Sequence, residues 1–372
     1  MLKSDDSRAP TLADRLRERI TAAGPMTFHE WMQAALYDER DGYYRRRGRI
    51  RQGRAGDYRT APETSPLFAA TFANYFMKSY FDLHAPDRWT IVEVGGGRGD
   101  FALGVLRSLQ TNFPKVFAAT HYVIDELSDD AREQAEAKLS EFKDRIEFCS
   151  LSEIGEPFSQ AIIFSNELLD AFPIHRVIER AGALRELRVS VNEAGGFVWL
   201  ESDLAPRVAE YCRRIELQLS EGQIHEVNLE AEDFVARAAS LIERGLLVTV
   251  DYGAERNDLL SDPNRLSGTL RSFRKHRISE DVLSQPGEQD LTTTVDWTQV
   301  REAGARNGLE TLRFERLDQF LLIEGALPQI MSASNRLIDQ VELFNFNAAA
   351  REMIMPDGMA AHFQVLVQRK EP

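Results

Sequence analysis

The chain has 372 residues, 43% hydrophobic and 28% charged, the profile of a soluble globular protein with one large domain or two modest ones. Its 45 Lys and Arg against 59 Asp and Glu give a net charge of −14, a surface that repels a phosphate backbone and argues against nucleic acid as a partner. No apolar run approaches the ~18–20 residues of a membrane span, so no membrane insertion is expected.

Met1–Thr11 is polar and mixed in charge, unlike a secretory signal, and Asp5, Asp6 and Asp14 interrupt the basic residues that a mitochondrial presequence needs. The two cysteines, Cys149 and Cys212, form no metal-type cluster. The expectation is a cytoplasmic, bacterial-type chain in a reducing compartment, without a metal.

Leu12, Leu16 and Ile20 recur at helical spacing, as do Phe28, Met32, Ala35 and Leu36; Thr27 and Glu30 fit a capping box that starts the second helix. Residues between Asp41 and Pro66 are rich in Gly, Arg, Pro and Ser and form a long loop. Within it Arg45, Arg46, Arg47, Arg49, Arg51 and Arg54 read either as a solvated strip or as a docking strip for an acidic partner. A third helix, Pro66–Leu83, carries Phe68, Phe72, Phe76 and Tyr80 on one stripe, an arrangement suited to a core.

From Trp89 the pattern changes. Apolar strands at Thr90–Val94, His121–Asp125, Arg145–Phe148, Ala161–Ser165 and Leu246–Asp251 alternate with helices around Phe101–Gln110, Asp129–Phe142 and Ala231–Glu243. Such alternation predicts a mostly parallel sheet with helices on both faces. Leu184–Val191 and Gly196–Leu200 flank the turn Asn192–Gly195 as an inserted antiparallel hairpin, and a further insertion runs from Ala254 to about Val295. Strands at Phe314–Phe320 and His362–Gln368 close the chain. A helix over Leu337–Phe346 reads as core or as a face for a homodimer. The resulting class is α/β: a doubly wound, mostly parallel, Rossmann-like sheet with an N-terminal helical cap (1–88) and a core (89–372) bearing insertions at about 176–230 and 254–295.

The run Ile91-Val92-Glu93-Val94-Gly95-Gly96-Gly97-Arg98-Gly99-Asp100 is strand, glycine turn and helix start in one piece. A dinucleotide fingerprint needs glycine where Asp100 stands; Gly95, Gly97 and Gly99 give G-x-G-x-G after the acid Glu93 instead. A pyrophosphate seeks the positive end of a helix, whereas Glu93 and Asp100 suit a sulfonium or an ammonium group. The cofactor expected is therefore S-adenosylmethionine. Glu126, with Asp125 second, stands at the tip of the next strand, where an acid accepts both ribose hydroxyls. Asn166, Glu167 and Asp170 follow a buried strand and are expected to face the same cleft, as acceptor-holding groups or as plain helix caps. A guanidinium acceptor, whose pKa exceeds ~12, needs such carboxylates. His29, His121 and His175 read as structural.

Three long motifs carry a resemblance. They are Gly56-Asp57-Tyr58-Arg59-Thr60-Ala61-Pro62-Glu63-Thr64-Ser65-Pro66-Leu67-Phe68, the glycine turn, and Ser165-Asn166-Glu167-Leu168-Leu169-Asp170-Ala171-Phe172-Pro173. With Val250-Asp251-Tyr252-Gly253 and Met355-Pro356-Asp357-Gly358-Met359 they resemble the MidA-like methyltransferases over about residues 24–368. The resemblance implies a doubly wound, S-adenosylmethionine-dependent enzyme. The family's mitochondrial member methylates an arginine of a respiratory complex I subunit, so a protein substrate bearing an arginine is implied. Tyr58 stands where Phe is usual and Thr294 where His or Asp is common, which leaves the acceptor open. In the motif loop, Thr60 and Glu63 supply polar groups and Pro62 and Pro66 stiffen the chain, so it either closes over the cofactor or caps the following helix.

The expected enzyme is a protein arginine methyltransferase. Glu93, Gly95, Gly97, Gly99, Glu126, Asn166 and Thr60 are expected at the cofactor, with Glu167, Asp170 and Glu63 at the acceptor. A small-molecule methyltransferase and a non-catalytic assembly factor are the competing readings.

Overall fold

A computed structural model describes residues 9–48, 65–274, 277–279, 281–336 and 339–371. The chain divides into two units, one of Arg47–Ala171, Ala231–Leu259 and Thr294–Pro372, the other of Met1–Arg46, Phe172–Glu230 and Leu260–Thr293.

The larger unit is built on a seven-stranded sheet. Its strands are β1 (Trp89–Val94), β2 (Thr120–Asp125), β3 (Ile146–Phe148), β4 (Ala161–Asn166), β5 (Gly245–Asp251), β6 (Leu309–Arg316) and β7 (Gln364–Lys370). Their order is β3-β2-β1-β4-β5-β7-β6, with β7 antiparallel to both β5 and β6 and the pairs from β3 to β5 parallel. This is the mostly parallel α/β sheet expected from the alternation. β1 and β5 are buried along their whole length, as strands covered on both faces must be, which explains their near-continuous apolar sequence.

One face carries the aromatic stripe of the helix Pro66–Asp82. Phe72 meets Phe164 of β4 at 5.1 Å between ring centroids, and Phe101, on the helix Asp100–Asn112, stacks on Phe164 at 4.2 Å. Fully burying each such ring stabilises by about 1.5–3 kcal/mol. The two helices touch where Gly104 faces Ala69: a Cβ at 104 would lie 2.5 Å from that of Ala69. On the opposite face the helix Trp297–Arg306 presents Gly304 to the side chain of Gln368 on β7. The sheet is thus covered on both sides.

Two expectations in this unit need correction. The strand expected over Phe314–Phe320 ends at Arg316, and Leu317–Ile323 is a helix. Leu317, Phe320 and Leu321 are its buried apolar residues, a spacing of three and four, while Asp318, also buried, accepts from the Arg316 guanidinium at 3.0 and 2.7 Å. The last strand starts at Gln364 rather than His362, because Met359–His362 forms a short 3-10 turn. Of the helix expected over Leu337–Phe346, Leu337 lies outside the described residues. The observed helix, Gln340–Ile354, exposes Val341 and Phe344 and buries Ala350 and Met353.

The smaller unit holds an antiparallel sheet in which Ala183–Val191 pairs with Met26–Thr27, His175–Arg180 and Phe197–Ser202. The expected hairpin closes through Asn192, whose Oδ1 accepts the amides of Ala194 (3.0 Å) and Gly196 (2.9 Å). The helices Leu12–Ala23 and Phe28–Tyr37 both begin with capping boxes, the second at Thr27 and Glu30. His29 and His175 stack at 5.0 Å and each meets a carboxylate at 2.8 Å, Glu230 and Glu186 respectively. Both are satisfied structural side chains. Arg46 of the basic run pairs with Glu288 in this unit, while Arg47 approaches Asp129 at 3.4 Å and Glu133 at 3.6 Å in the larger one. Arg49, Arg51 and Arg54 lie outside the described residues. Among the described residues no helix is long and apolar enough to cross a membrane.

Candidate functional site

β1 ends at Val94 and runs into the glycine turn at the carboxyl edge of the sheet. Gly95, Gly97 and Gly99 have φ of +75°, +53° and +76°, the left-handed region that side chains other than glycine rarely adopt. Gly96 is required for a different reason: a Cβ there would lie 2.5 Å from Cγ2 of Ile124 on β2. The turn is tied to that strand, since the Asp125 carbonyl accepts the amides of Gly95 (2.8 Å) and Gly96 (3.2 Å).

Three acids surround it. Glu126 places one carboxylate oxygen 2.7 Å from the Gly97 amide and the other 2.6 Å from that of Ser128. Glu93 is buried at 5% exposure and accepts a hydrogen bond from the Tyr122 hydroxyl at 2.7 Å. Burial pushes its pKa up to about 8, with the Tyr122 hydrogen bond opposing and Glu126 and Asp100 adding to the rise. Asp100 opens the helix and pairs with Lys138 at 2.6 Å. Asp125, the second choice for a ribose contact, instead receives the Leu151 amide at 2.7 Å.

β4 lies beside β1, with Ser165 opposite Val94, so the segment Asn166–Asp170 emerges next to the glycine turn. A Cβ on Gly95 would lie 3.2 Å from Leu168. Asn166 donates to Glu167 Oε1 at 3.0 Å, and Glu167 itself sits at φ +50°, strained for a residue with a side chain. Asp170 is buried and receives the Tyr252 hydroxyl at 2.7 Å. Beneath this turn lies Asp251, the last residue of β5 and fully buried. Its Oδ2 accepts the amides of Leu168 (3.2 Å), Leu169 (2.9 Å) and Asp170 (3.4 Å), and its Oδ1 that of Tyr252 (2.9 Å). Burial, then Asp170 and Glu167, push the pKa of Asp251 well up against those amides.

The structure thus brings Glu93, Gly95, Gly97, Gly99, Glu126, Asn166, Glu167 and Asp170 to one edge of one sheet. Thr60 and Glu63 lie outside the described residues. Gly96, Tyr122, Asp251 and Tyr252 belong to this corner as well, although none was expected there as a site residue. Asp251 had a visible signal, an acid ending an otherwise apolar strand.

The corner does not suit a pyrophosphate, because the Gly97 amide that would meet one already faces the Glu126 carboxylate.

A family model of S-adenosyl-L-methionine-dependent methyltransferases matches residues 71–315. The chain belongs to that family. Among curated relatives, the methyltransferase is 27% identical to the mitochondrial protein arginine methyltransferase NDUFAF7 homolog of Drosophila melanogaster, over 95% of this chain and 86% of the relative. It is 28% identical to protein arginine methyltransferase NDUFAF7 of Xenopus tropicalis, over 80% of this chain and 71% of the relative. A crystal structure from Burkholderia thailandensis bound to S-adenosyl-homocysteine superposes with a TM-score of 0.85 at 28% identity, covering 96% of this chain and 92% of that one. S-adenosylmethionine is this methyltransferase's cofactor.

Proposed function

We propose that the methyltransferase modifies an arginine of a protein substrate, with Glu167 as the residue that meets the guanidinium. What supports the reading most is the position of Glu167: a carboxylate on a strained turn, beside the glycine turn and backed by Asp170. The names of the relatives, protein arginine methyltransferases, point the same way. The resemblance directs the search for the acceptor to subunits of respiratory complex I.

In this reading Gly95, Gly97 and Gly99 let the backbone approach the cofactor, Glu126 takes the ribose hydroxyls, and Glu93 and Asn166 meet its polar groups. Thr60 is assigned to the cofactor and Glu63 to the acceptor. The cofactor, when bound, supplies a methyl group made electrophilic by its sulfonium sulfur. The chain's task is orientation and proton handling. Glu167 pairs with the guanidinium, aligns one nitrogen for attack, and receives the proton which that nitrogen sheds as its bond to the methyl carbon forms.

The deciding experiment is mass spectrometry of the proteome with and without the gene, and with the Glu167→Ala variant restored. A methylarginine peptide present only with the wild-type gene is expected. If no arginine differs while labelled methyl enters a small molecule, the protein-arginine reading falls.

A further inference from the structure

The turn that carries Glu167 leads from β4 into a single 3-10 turn, Leu169–Ala171. Glu167 donates its own amide to the Val250 carbonyl at 2.9 Å, and the next three amides, of Leu168, Leu169 and Asp170, all converge on one oxygen of Asp251. The other oxygen of Asp251 takes the amide of Tyr252, whose hydroxyl in turn holds Asp170. A single side chain on β5 therefore supplies the acceptors for the backbone beneath both candidate acceptor-facing carboxylates. Because Asp251 is fully buried, it does not itself reach an acceptor.

Its chemistry is specific. Four amides aimed at its two oxygens call for an accepting carboxylate, against the upward push of burial, whereas an asparagine accepts on one oxygen and turns an N–H2 group toward donors. A non-glycine residue at φ +50° persists only where its surroundings over-determine it. The convergent amides provide that constraint.

We infer that Asp251 is a positioning residue for methyl transfer: by accepting the amides of residues 168–170 it fixes the backbone from which Glu167 and Asp170 present their carboxylates. The inference rests on the reading of Glu167 as the residue that meets the acceptor.

Full-length wild-type, Asp251→Asn and Asp251→Glu proteins test it. Hydrogen exchange is followed on the peptide containing Leu168–Ala171, S-adenosylhomocysteine binding by calorimetry, and transfer from tritiated S-adenosylmethionine into a lysate of cells lacking the gene. For Asp251→Asn we expect exchange at the turn faster by about tenfold, cofactor KM and S-adenosylhomocysteine affinity within about threefold, and a maximal rate per folded molecule lower by about thirtyfold or more. Unchanged exchange overturns the inference. So does faster exchange with an unchanged rate per folded molecule, which marks a merely structural role. If Asp251→Asn fails to fold, Asp251→Glu decides: it keeps both accepting oxygens but displaces them by one methylene, so a rate lower at unchanged cofactor KM is expected and a wild-type rate refutes. If the wild-type protein labels nothing in the lysate, the acceptor reading falls, and the exchange result alone decides whether Asp251 sets the turn.

Discussion

Replacing Glu93 by glutamine should make the ligand-free protein more stable, not less, and should do so in a pH-dependent way. The carboxyl is buried, with a pKa pushed up to about 8 from an ordinary 4.5. Below pH 4.5 it is protonated in both folded and unfolded chains and exerts no differential effect. Between 4.5 and 8 the unfolded chain gives up the proton while the folded chain keeps it, so stability declines as pH rises through this window and levels off above it. At pH 7 the gap of about 2.5 pH units corresponds to roughly 3 kcal/mol; at pH 5 the same arithmetic leaves under ~1 kcal/mol. Glutamine escapes this cost, and its oxygen can still accept the Tyr122 hydroxyl. Urea melts of both proteins at pH 5 and pH 7, without cofactor, should show the variant gaining about 2–3 kcal/mol more at the higher pH. Equal destabilisation at both values would refute the buried neutral carboxyl. With cofactor the order should reverse: a cation stabilises ionised Glu93, so binding releases a proton at pH 7 in the wild type and none from this site in the variant. Calorimetry in buffers of different ionisation enthalpy reads that difference directly.

Gly97→Val places a branched side chain at φ +53° on the turn; it should cost about 1–2 kcal/mol of stability and abolish the heat of S-adenosylhomocysteine binding. Near-wild-type affinity would move the cofactor away from this turn. Glu167→Ala and Glu167→Gly should both lose transfer while binding S-adenosylhomocysteine within about threefold of wild type. Glycine should be the more stable of the two by about 1 kcal/mol, since only alanine keeps the left-handed strain. Equal stability in thermal melts would mean that the backbone at 167 relaxes, and lost cofactor binding would mean that Glu167 belongs to the donor's pocket.

The central strands of the sheet were legible because a parallel strand buried on both faces is near-continuously apolar, as Ile91-Val92, Ile162–Phe164 and Leu246–Val248 are. The glycine turn was legible because backbone in the left-handed region leaves few residue choices. The segment Leu317–Phe320 was misread because a few apolar residues fit a strand as well as a helix turn, and only burial at three- and four-residue spacing separates them. Asp251 was visible as the acid that ends β5, but the groups it bonds were not. It bonds amides some eighty positions earlier in the chain (Leu168 to Asp170), and no local pattern encodes a side chain that serves a distant backbone. The protonation of Glu93 likewise follows from burial and from Tyr122, Glu126 and Asp100, which only the fold assembles.

The antiparallel strand β7 has a consequence for synthesis on the ribosome. Among the described residues it is the only strand that pairs with β6, and it also covers the outer edge of β5, yet some fifty residues separate it from β6. At about 5–20 residues per second, β5 and β6 wait for seconds with bare edges while the intervening helices are made. Exposed strand edges in that interval recruit strands from other nascent chains. The stretch between β5 and β7 is thus where this methyltransferase depends most on chaperones during synthesis, and where slow codons would be most costly.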